Sequence, residues 1–286
     1  MVMFMERKKI IILLSIVILI VLLFFYINYE NNSLQISNYE ITNNKIPNEF
    51  NDYKIIQISD FHNTKSTKLT NTLVKEIENQ KPNLILITGD LIDSRTKDIN
   101  VAIDFVKKIK KCAPIYFVSG NHEARISDYS ELKAKLREND VIILDNKVDA
   151  IELNDSKIKV LGIDDPSMVH ESSITDKEII KTEINYLEYD RNSFNILLSH
   201  RPELFNVYVE NEIDLVLSGH AHGGQIRIPF IGGLVAPNQG LFPKYTSGKY
   251  MEQKTTMIVS RGIGNSILPY RINNKPELVI ITLKNV

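Results

Sequence analysis

One cysteine, Cys112, occurs in 286 residues, so neither an intrachain disulfide nor a cysteine-built zinc knuckle is open to this chain. With no histidine or asparagine close by in sequence, Cys112 reads as a buried, inert thiol rather than a nucleophile. The chain also lacks an excess of either charge, since 34 Lys and Arg stand against 35 Asp and Glu. No general field draws polyanions to it, and nothing in the balance signals nucleic acid. No low-complexity tract or interdomain linker breaks the second half, and the length suffices for one self-supporting core.

What is present is most marked at the amino terminus. Arg7-Lys8-Lys9 precedes an apolar run over residues 10–27 in which only Ser15 and Tyr26 are mildly polar. At ~1.5 Å per residue such a helix just spans the hydrocarbon core of a bilayer. Basic residues ahead of it favour a cytoplasmic amino end and an outward-facing remainder. A cleaved signal peptide would carry a shorter apolar region, about 7–15 residues, and then small residues. Here Phe24-Phe25-Tyr26-Ile27-Asn28-Tyr29-Glu30 follows instead. The expectation is a single-pass cell-membrane protein with residues 1–29 as basic tip and retained anchor. Residues 30–50, rich in Asn, Ser and Glu with a candidate strand at Tyr39-Glu40-Ile41, read as a tether, and 51–286 as the extracytoplasmic domain.

Beyond residue 50 one pattern repeats three times: apolar strand, polar motif, amphipathic helix. Lys54-Ile55-Ile56-Gln57-Ile58-Ser59 ends in Asp60-Phe61-His62, Leu84-Ile85-Leu86-Ile87-Thr88 in Gly89-Asp90-Leu91-Ile92-Asp93, and Ile115-Tyr116-Phe117-Val118 in Ser119-Gly120-Asn121-His122-Glu123. Asp60, Asp90 and Asn121 are about one βα unit apart. Leu69, Leu73 and Ile77, then Val101, Phe105 and Ile109, keep helical spacing between them. Parallel strands so connected bring their carboxyl ends to one sheet edge, where open α/β folds place ligands. The second half reads as short strands at 150–153, 157–161, 195–199, 215–218, 225–228, 255–260 and 278–283 with one helix at 176–188. That pattern predicts a second sheet, mixed or antiparallel, packed on the first within one α/β domain.

Five of the six histidines lie where hydrophobic runs end, most sharply in Gly219-His220-Ala221-His222-Gly223-Gly224-Gln225. If the strand before them continued, His220 and His222 would share a face; the same dipeptide also occurs on solvated strands. Adding Asp60, His62, Asp90, Asn121, His122 and His200 gives oxygen and imidazole donors without thiolate, a set suited to manganese, zinc, iron or nickel. One ion with an open position cannot use so many ligands, whereas two ions sharing a carboxylate can. His170 falls outside the pattern and reads as a surface-loop residue.

In this order, Asp-x-His, Gly-Asp-x-x-Asp, Gly-Asn-His-Glu, a lone His and Gly-His-x-His resemble the metallophosphoesterase (calcineurin-like phosphoesterase) superfamily. The likeness runs from about Lys54 to Leu283. It implies a two-sheet sandwich flanked by helices and two divalent cations, manganese first among the candidates. Asp60, His62 and His222 would hold one ion, Asn121, His200 and His220 the other, with Asp90 bridging and His122 beside the leaving group. Two cations about 3.5–4 Å apart lower the pKa of a shared water and clamp phosphoryl oxygens. An anionic Asp suits the bridge, and a protonated His122 supported by a carboxylate could give a proton to the departing alkoxide. Asp93 and Glu123 are either partners that fix imidazole tautomers or solvated loop acids.

Arg95 stands one residue away from the Asp-Arg-Gly ending of the Ser/Thr protein phosphatase branch, which argues against a phosphoprotein substrate. Gly223-Gly224-Gln225-Ile226-Arg227-Ile228-Pro229-Phe230 and Ser260-Arg261-Gly262-Ile263-Gly264 resemble bacterial membrane-associated phosphoesterases, a branch similar to UDP-diacylglucosamine pyrophosphatases. The expected activity is hydrolysis of phosphodiester or pyrophosphate bonds in an envelope- or lipid-linked substrate. A non-catalytic metal-stabilised binding module and a metal-dependent nuclease are the alternatives. Residues 228–236 could line an acyl groove or touch the bilayer, a packed connection being preferred. Arg201, Arg227, Arg261 and Arg271 are candidates to meet a phosphate, with Arg261-Gly262-Ile263-Gly264 as a possible anion loop.

Overall fold

The computed structural model describes residues 2–96, 98–171, 173–266 and 268–286. In chain order the first half runs α1 (Val2–Asn32), β1 (Gln35–Thr42), β2 (Lys54–Ile58), α2 (Thr67–Gln80), β3 (Leu84–Thr88), α3 (Asn100–Ile109), β4 (Ile115–Val118), α4 (Asn121–Ala124), α5 (Tyr129–Glu138) and β5 (Val141–Ile143). The second half adds β6 (Lys147–Leu153), β7 (Ser156–Gly162), α6 (Asp176–Tyr186), β8 (Asn195–Leu198), α7 (Phe205–Glu210) and β9 (Leu215–Ser218). Four short strands follow, β10 (Arg227–Ile228), β11 (Gly232–Gly233), β12 (Val235–Ala236) and β13 (Gly240–Leu241), then β14 (Gly248–Glu252), β15 (Thr255–Val259) and β16 (Glu277–Lys284).

Two six-stranded mixed sheets result, ordered β1-β16-β2-β3-β4-β5 and β14-β15-β9-β8-β7-β6. Each has a parallel centre, β2 through β5 in one and β15, β9, β8 and β7 in the other. Strands covered on both faces need apolar side chains on both, hence the unbroken runs in β3 and β9 rather than an alternation. Ile55, Leu84 and Leu86 pack between the sheets against Val160, Ile196 and Leu217. Outside the first sheet, Leu73, Ile77, Phe105 and Leu132 seat α2, α3 and α5; outside the second, Ile180, Ile184 and Val209 seat α6 and α7. The expected α/β sandwich flanked by helices is therefore the fold. α2 shows the local logic: Ser66 caps its start by accepting from the Leu69 amide at 3.3 Å, and left-handed Lys81 ahead of Pro82 stops it.

Three segments differ from expectation. The 30–50 stretch, read as a tether with a candidate strand at Tyr39-Glu40-Ile41, contains the longer β1, which pairs in parallel with β16 along all 8 of its residues. The 278–283 run, assigned to the second sheet, lies in the first between β1 and β2. The 225–228 run yields only the two-residue β10, outside both large sheets.

α1 carries the apolar run with its side chains from Ile10 to Phe25 exposed. Among the described residues it is the one helix long and apolar enough to cross a membrane. Its last turn is joined to the domain. Glu30 is buried and accepts from the Asn274 amide at 3.1 Å. Asn31 exchanges hydrogen bonds with the Arg271 backbone at 3.1 and 2.9 Å.

Candidate metal centre

Asp60 follows β2, Asp90 follows β3, Asn121 follows β4, His200 follows β8, and His220 and His222 follow β9. The parallel strands end at one edge, and all of these residues, with His62 and His122, are no more than 8 % exposed. His62 Nε2 lies 3.1 Å from His222 Nε2, 3.5 Å from Asp90 Oδ2 and 3.8 Å from Asp60 Oδ1. His222 Nε2 is 3.2 Å from Asp60 Oδ1, and His200 Nε2 is 3.3 Å from Asp90 Oδ2. Donors bonded at ~2.0–2.2 Å to one ion stand about 2.8–3.6 Å apart, so these spacings suit ligands around a cation. Asp60, His62, Asp90 and His222 make one group that could hold a metal, and Asp90, His200 and His220 a second. Asn121 Oδ1 is buried without a hydrogen bond, a costly state for a polar atom that a cation would relieve.

His220 and His222 do not extend β9. The strand stops at Ser218, and His220 (φ 65°) and His222 (φ 47°) are left-handed, so a turn rather than a shared strand face presents them. A Cβ on Gly219 would come within 1.8 Å of Ser59 Oγ and 2.4 Å of Asp60 Oδ2, so only glycine lets this turn close on Asp60. The His220 amide then donates to both Asp60 carboxylate oxygens at 3.1 Å.

Burial sets the charge states. It pushes His62 down to about 3 and His220 and His222 well below the usual imidazole value, leaving neutral rings able to offer lone pairs. It raises Asp60 to about 6, with Asp90 adding repulsion. Burial also opposes charge on His200, yet the Asp90 and Asp60 carboxylates outweigh it and lift the group to about 10. Asp90, despite its own burial, is held well below the carboxylate range by His200, His62 and His122. Without a cation, a proton on His200 balances Asp90.

Two imidazoles have opposite tautomers fixed by the backbone. His200 Nδ1 lies 2.8 Å from the Thr88 carbonyl, which can only accept, so Nδ1 carries hydrogen and Nε2 faces Asp90. His122 Nδ1 accepts from the Ser94 amide at 3.1 Å, so the neutral ring keeps its hydrogen on Nε2. Carboxylate support for a protonated His122 is weaker than expected. Asp93 Oδ1 is 3.6 Å away and gripped by Arg95 at 2.9 Å, and burial lowers the His122 pKa. Glu123 fixes no imidazole. It accepts from the amides of Asp90 (2.8 Å), Gly120 (2.7 Å) and Ile92 (3.1 Å), tying the loops after β3 and β4 together.

The sequence of residues 53–224 matches the model of the calcineurin-like phosphoesterase family. The chain belongs to this family. It is 31 % identical over 261 residues to the metallophosphoesterase YkuE of Bacillus subtilis, spanning 90 % of this chain and 87 % of that one. It is 24 % identical over 244 residues to the phosphodiesterase YaeI of Escherichia coli, spanning 81 % and 82 %. Among solved structures, the sulfate thiohydrolase SoxB of Thermus thermophilus overlays with a TM-score of 0.50 at 14 % identity, over 84 % of this chain and 57 % of that one; this shows the fold. As a calcineurin-like phosphoesterase the chain is a metal-dependent phosphoester hydrolase, and its Asp/His cluster is a binuclear divalent metal site.

Above the cluster opens a cavity of about 330 Å³ whose walls include His122, Arg125, Arg201 and Asn238. Of the four arginines considered from sequence, Arg201 reaches it, held by Asp165 at 2.8 Å with Nη1 3.4 Å from His220 Nε2. Arg271 is buried and donates to the Arg261 carbonyl at 2.8 Å, Arg227 donates to the Gly223 carbonyl at 2.9 Å, and Arg261 to Gln35 at 2.9 Å. The 261–264 segment offers no free amide to an anion: those of Arg261 and Gly262 donate to Glu277 and Ser260, and those of Ile263 and Gly264 to the Ser59 and Asp60 carbonyls. Arg125 was missed from sequence; a cation two residues past Glu123 was the available signal. Cys112 is half-buried rather than buried, with its thiol pushed up by desolvation and Glu78, and His170 is exposed.

Proposed function

We propose that this phosphoesterase is a single-pass membrane enzyme that hydrolyses phosphodiester or pyrophosphate bonds of envelope- or lipid-linked substrates outside the cell, with manganese as its metal. Asp60, His62 and His222 hold one ion, Asn121, His200 and His220 the other, and Asp90 bridges them. The observation that carries this assignment is that Asp90 alone belongs to both ligand groups. Two divalent ions would supply a polarised water and charge neutralisation for phosphoryl transfer to water. The protein's own residues orient and exclude. Arg125 and Arg201 border the cavity and offer cationic donors to non-bridging oxygens. His122 offers its Nε2 hydrogen to the leaving oxygen. Diester chemistry draws support from the name of the Escherichia coli relative. The membrane setting draws support from the apolar run of α1 over residues 10–27, exposed from Ile10 to Phe25, with residues 1–29 as the anchor and 51–286 as the catalytic domain.

The full chain in detergent should hydrolyse bis-p-nitrophenyl phosphate with added manganese. Asp90→Asn should lower kcat at least 10²-fold, since a neutral amide bridges two cations poorly. Undiminished turnover in excess chelator would sink the dinuclear reading.

A further inference from the structure

Two apolar loops flank the carboxyl end of α1 and have no partner in the fold. Phe230 is 110 % and Ile231 63 % exposed at the tip between β10 and β11, and Leu268 and Tyr270 are 41 % and 59 % exposed. Pro269 and Tyr270 form one wall of a cleft of about 510 Å³ whose other wall includes Ile20, Leu23, Phe24 and Ile27 of α1. Ile20 lies six residues, about 9 Å, deeper along the helix than Tyr26. Tyr270 thus lies against the outer turns of α1, between the levels of Ile20 and Asn32. The Phe230 tip is tied to the same level: Asn273 hydrogen-bonds the Tyr26 hydroxyl and donates to the Arg227 carbonyl at 3.2 Å. Phe230 is moreover left-handed at φ 65°, a turn position that glycine or asparagine fills without strain. The fold alone gives no reason for a phenylalanine there.

We propose that the 268–270 loop and the Phe230 tip enter the outer leaflet beside α1 and form a membrane-docking face whose partner is the lipid bilayer. This rests on α1 being a membrane anchor. Aromatic and aliphatic side chains at the water boundary suit such a face. Ser266, two residues before Leu268, lines the catalytic cavity, so docking holds the cavity mouth at the lipid surface. A phosphoester carried on a lipid then reaches the metals without leaving its leaflet.

The test uses the full chain with Cys112→Ser and single cysteine substitutions Phe230→Cys, Tyr270→Cys, Leu19→Cys or Lys81→Cys. Each is labelled with an environment-sensitive fluorophore and reconstituted in phosphatidylcholine/phosphatidylglycerol vesicles with doxyl-lipid quencher. Labels at positions 230 and 270 should lose at least half as much emission to doxyl lipid as the label at 19. The label at 81, on the opposite edge of the first sheet, should respond only to aqueous iodide. Quenching by iodide alone at 230 and 270, with lipid quenching retained at 19, would overturn the docking face. Absence of lipid quenching at 19 as well would overturn the anchor and the face together.

Discussion

Asp60, His62, Asp90, His220 and His222 all have positive φ without being glycine. A left-handed L-residue costs about 1–2 kcal/mol, so five of them consume a share of stability comparable to the ~5–15 kcal/mol net of a typical domain. These five are among 18 such residues described, and at the site burial and backbone bonds to Asp60 and Asp90 offset the strain, as a bound cation would. His122 differs in being right-handed on α4 and in holding its hydrogen on Nε2 by way of the Ser94 amide. On the proposed mechanism a group so set serves a leaving oxygen rather than a metal. His122→Ala should therefore lower kcat about 10²–10⁴-fold on an alkyl phosphodiester and far less on a p-nitrophenyl ester, whose departing phenolate needs no proton. Equal losses on the two substrates would assign His122 to binding instead. The proton given to the alkoxide must come from the imidazolium form, which burial disfavours, so the loss on the alkyl ester should be largest at low pH.

At the scale of elements, the loop after β9 is held from outside its own strand. Asn274 donates to the carbonyls of His222 at 2.7 Å and Gln225 at 3.0 Å, while its own amide is taken by Glu30 at the end of α1. Asn274→Ala leaves the Gln225 carbonyl unpaired and the His222 carbonyl with the Gln225 amide as its remaining donor, a cost of about 1–3 kcal/mol. It should weaken metal binding at the site containing His222 more than at its neighbour. Thermal unfolding in detergent and metal titration by calorimetry would read both effects, and unchanged affinity at both sites would contradict the strut. This contact joins residues 52 apart, so no local pattern announces it. Glu123 is similar, its function set by amides 33 and 31 residues away. The proposed ligands were legible because each ends an apolar run beside a turn residue, and α2 because Leu69, Leu73 and Ile77 keep one face. β1 was legible only in part, as the candidate strand at Tyr39-Glu40-Ile41, because its pairing partner β16 lies more than 200 residues away in the chain. The sheet chosen by β16 was equally hidden, for an all-apolar strand fits either side of one interior.

Across the whole molecule, carboxylates are crowded at two places, the metal centre and a second cluster at its periphery. Asp164 sits there near Asp145 and Glu183, accepting from Ser119 Oγ at 2.7 Å. Burial, then repulsion from Asp145, lifts Asp164 from 3.8 to about 6; burial and Asp164 raise Glu183 to about 7. The folded state thus binds more protons than the unfolded chain between roughly pH 4 and 6, so Asp164 contributes stability at low pH that is lost as pH rises through its folded value. A shift of about two units is worth at most ~3 kcal/mol, and part of this is screened because Asp164 is only partly buried. Asp164→Asn retains an acceptor for Ser119 and removes the titration. The variant should melt a few degrees above the parent at pH 8, with the difference vanishing at pH 4. Asp60 and Glu123, raised to about 6 and about 7 by burial, slope in the same direction. The parent-minus-variant difference isolates Asp164 from both, and a gain that persists at pH 4 would show that packing rather than the buried charge is responsible.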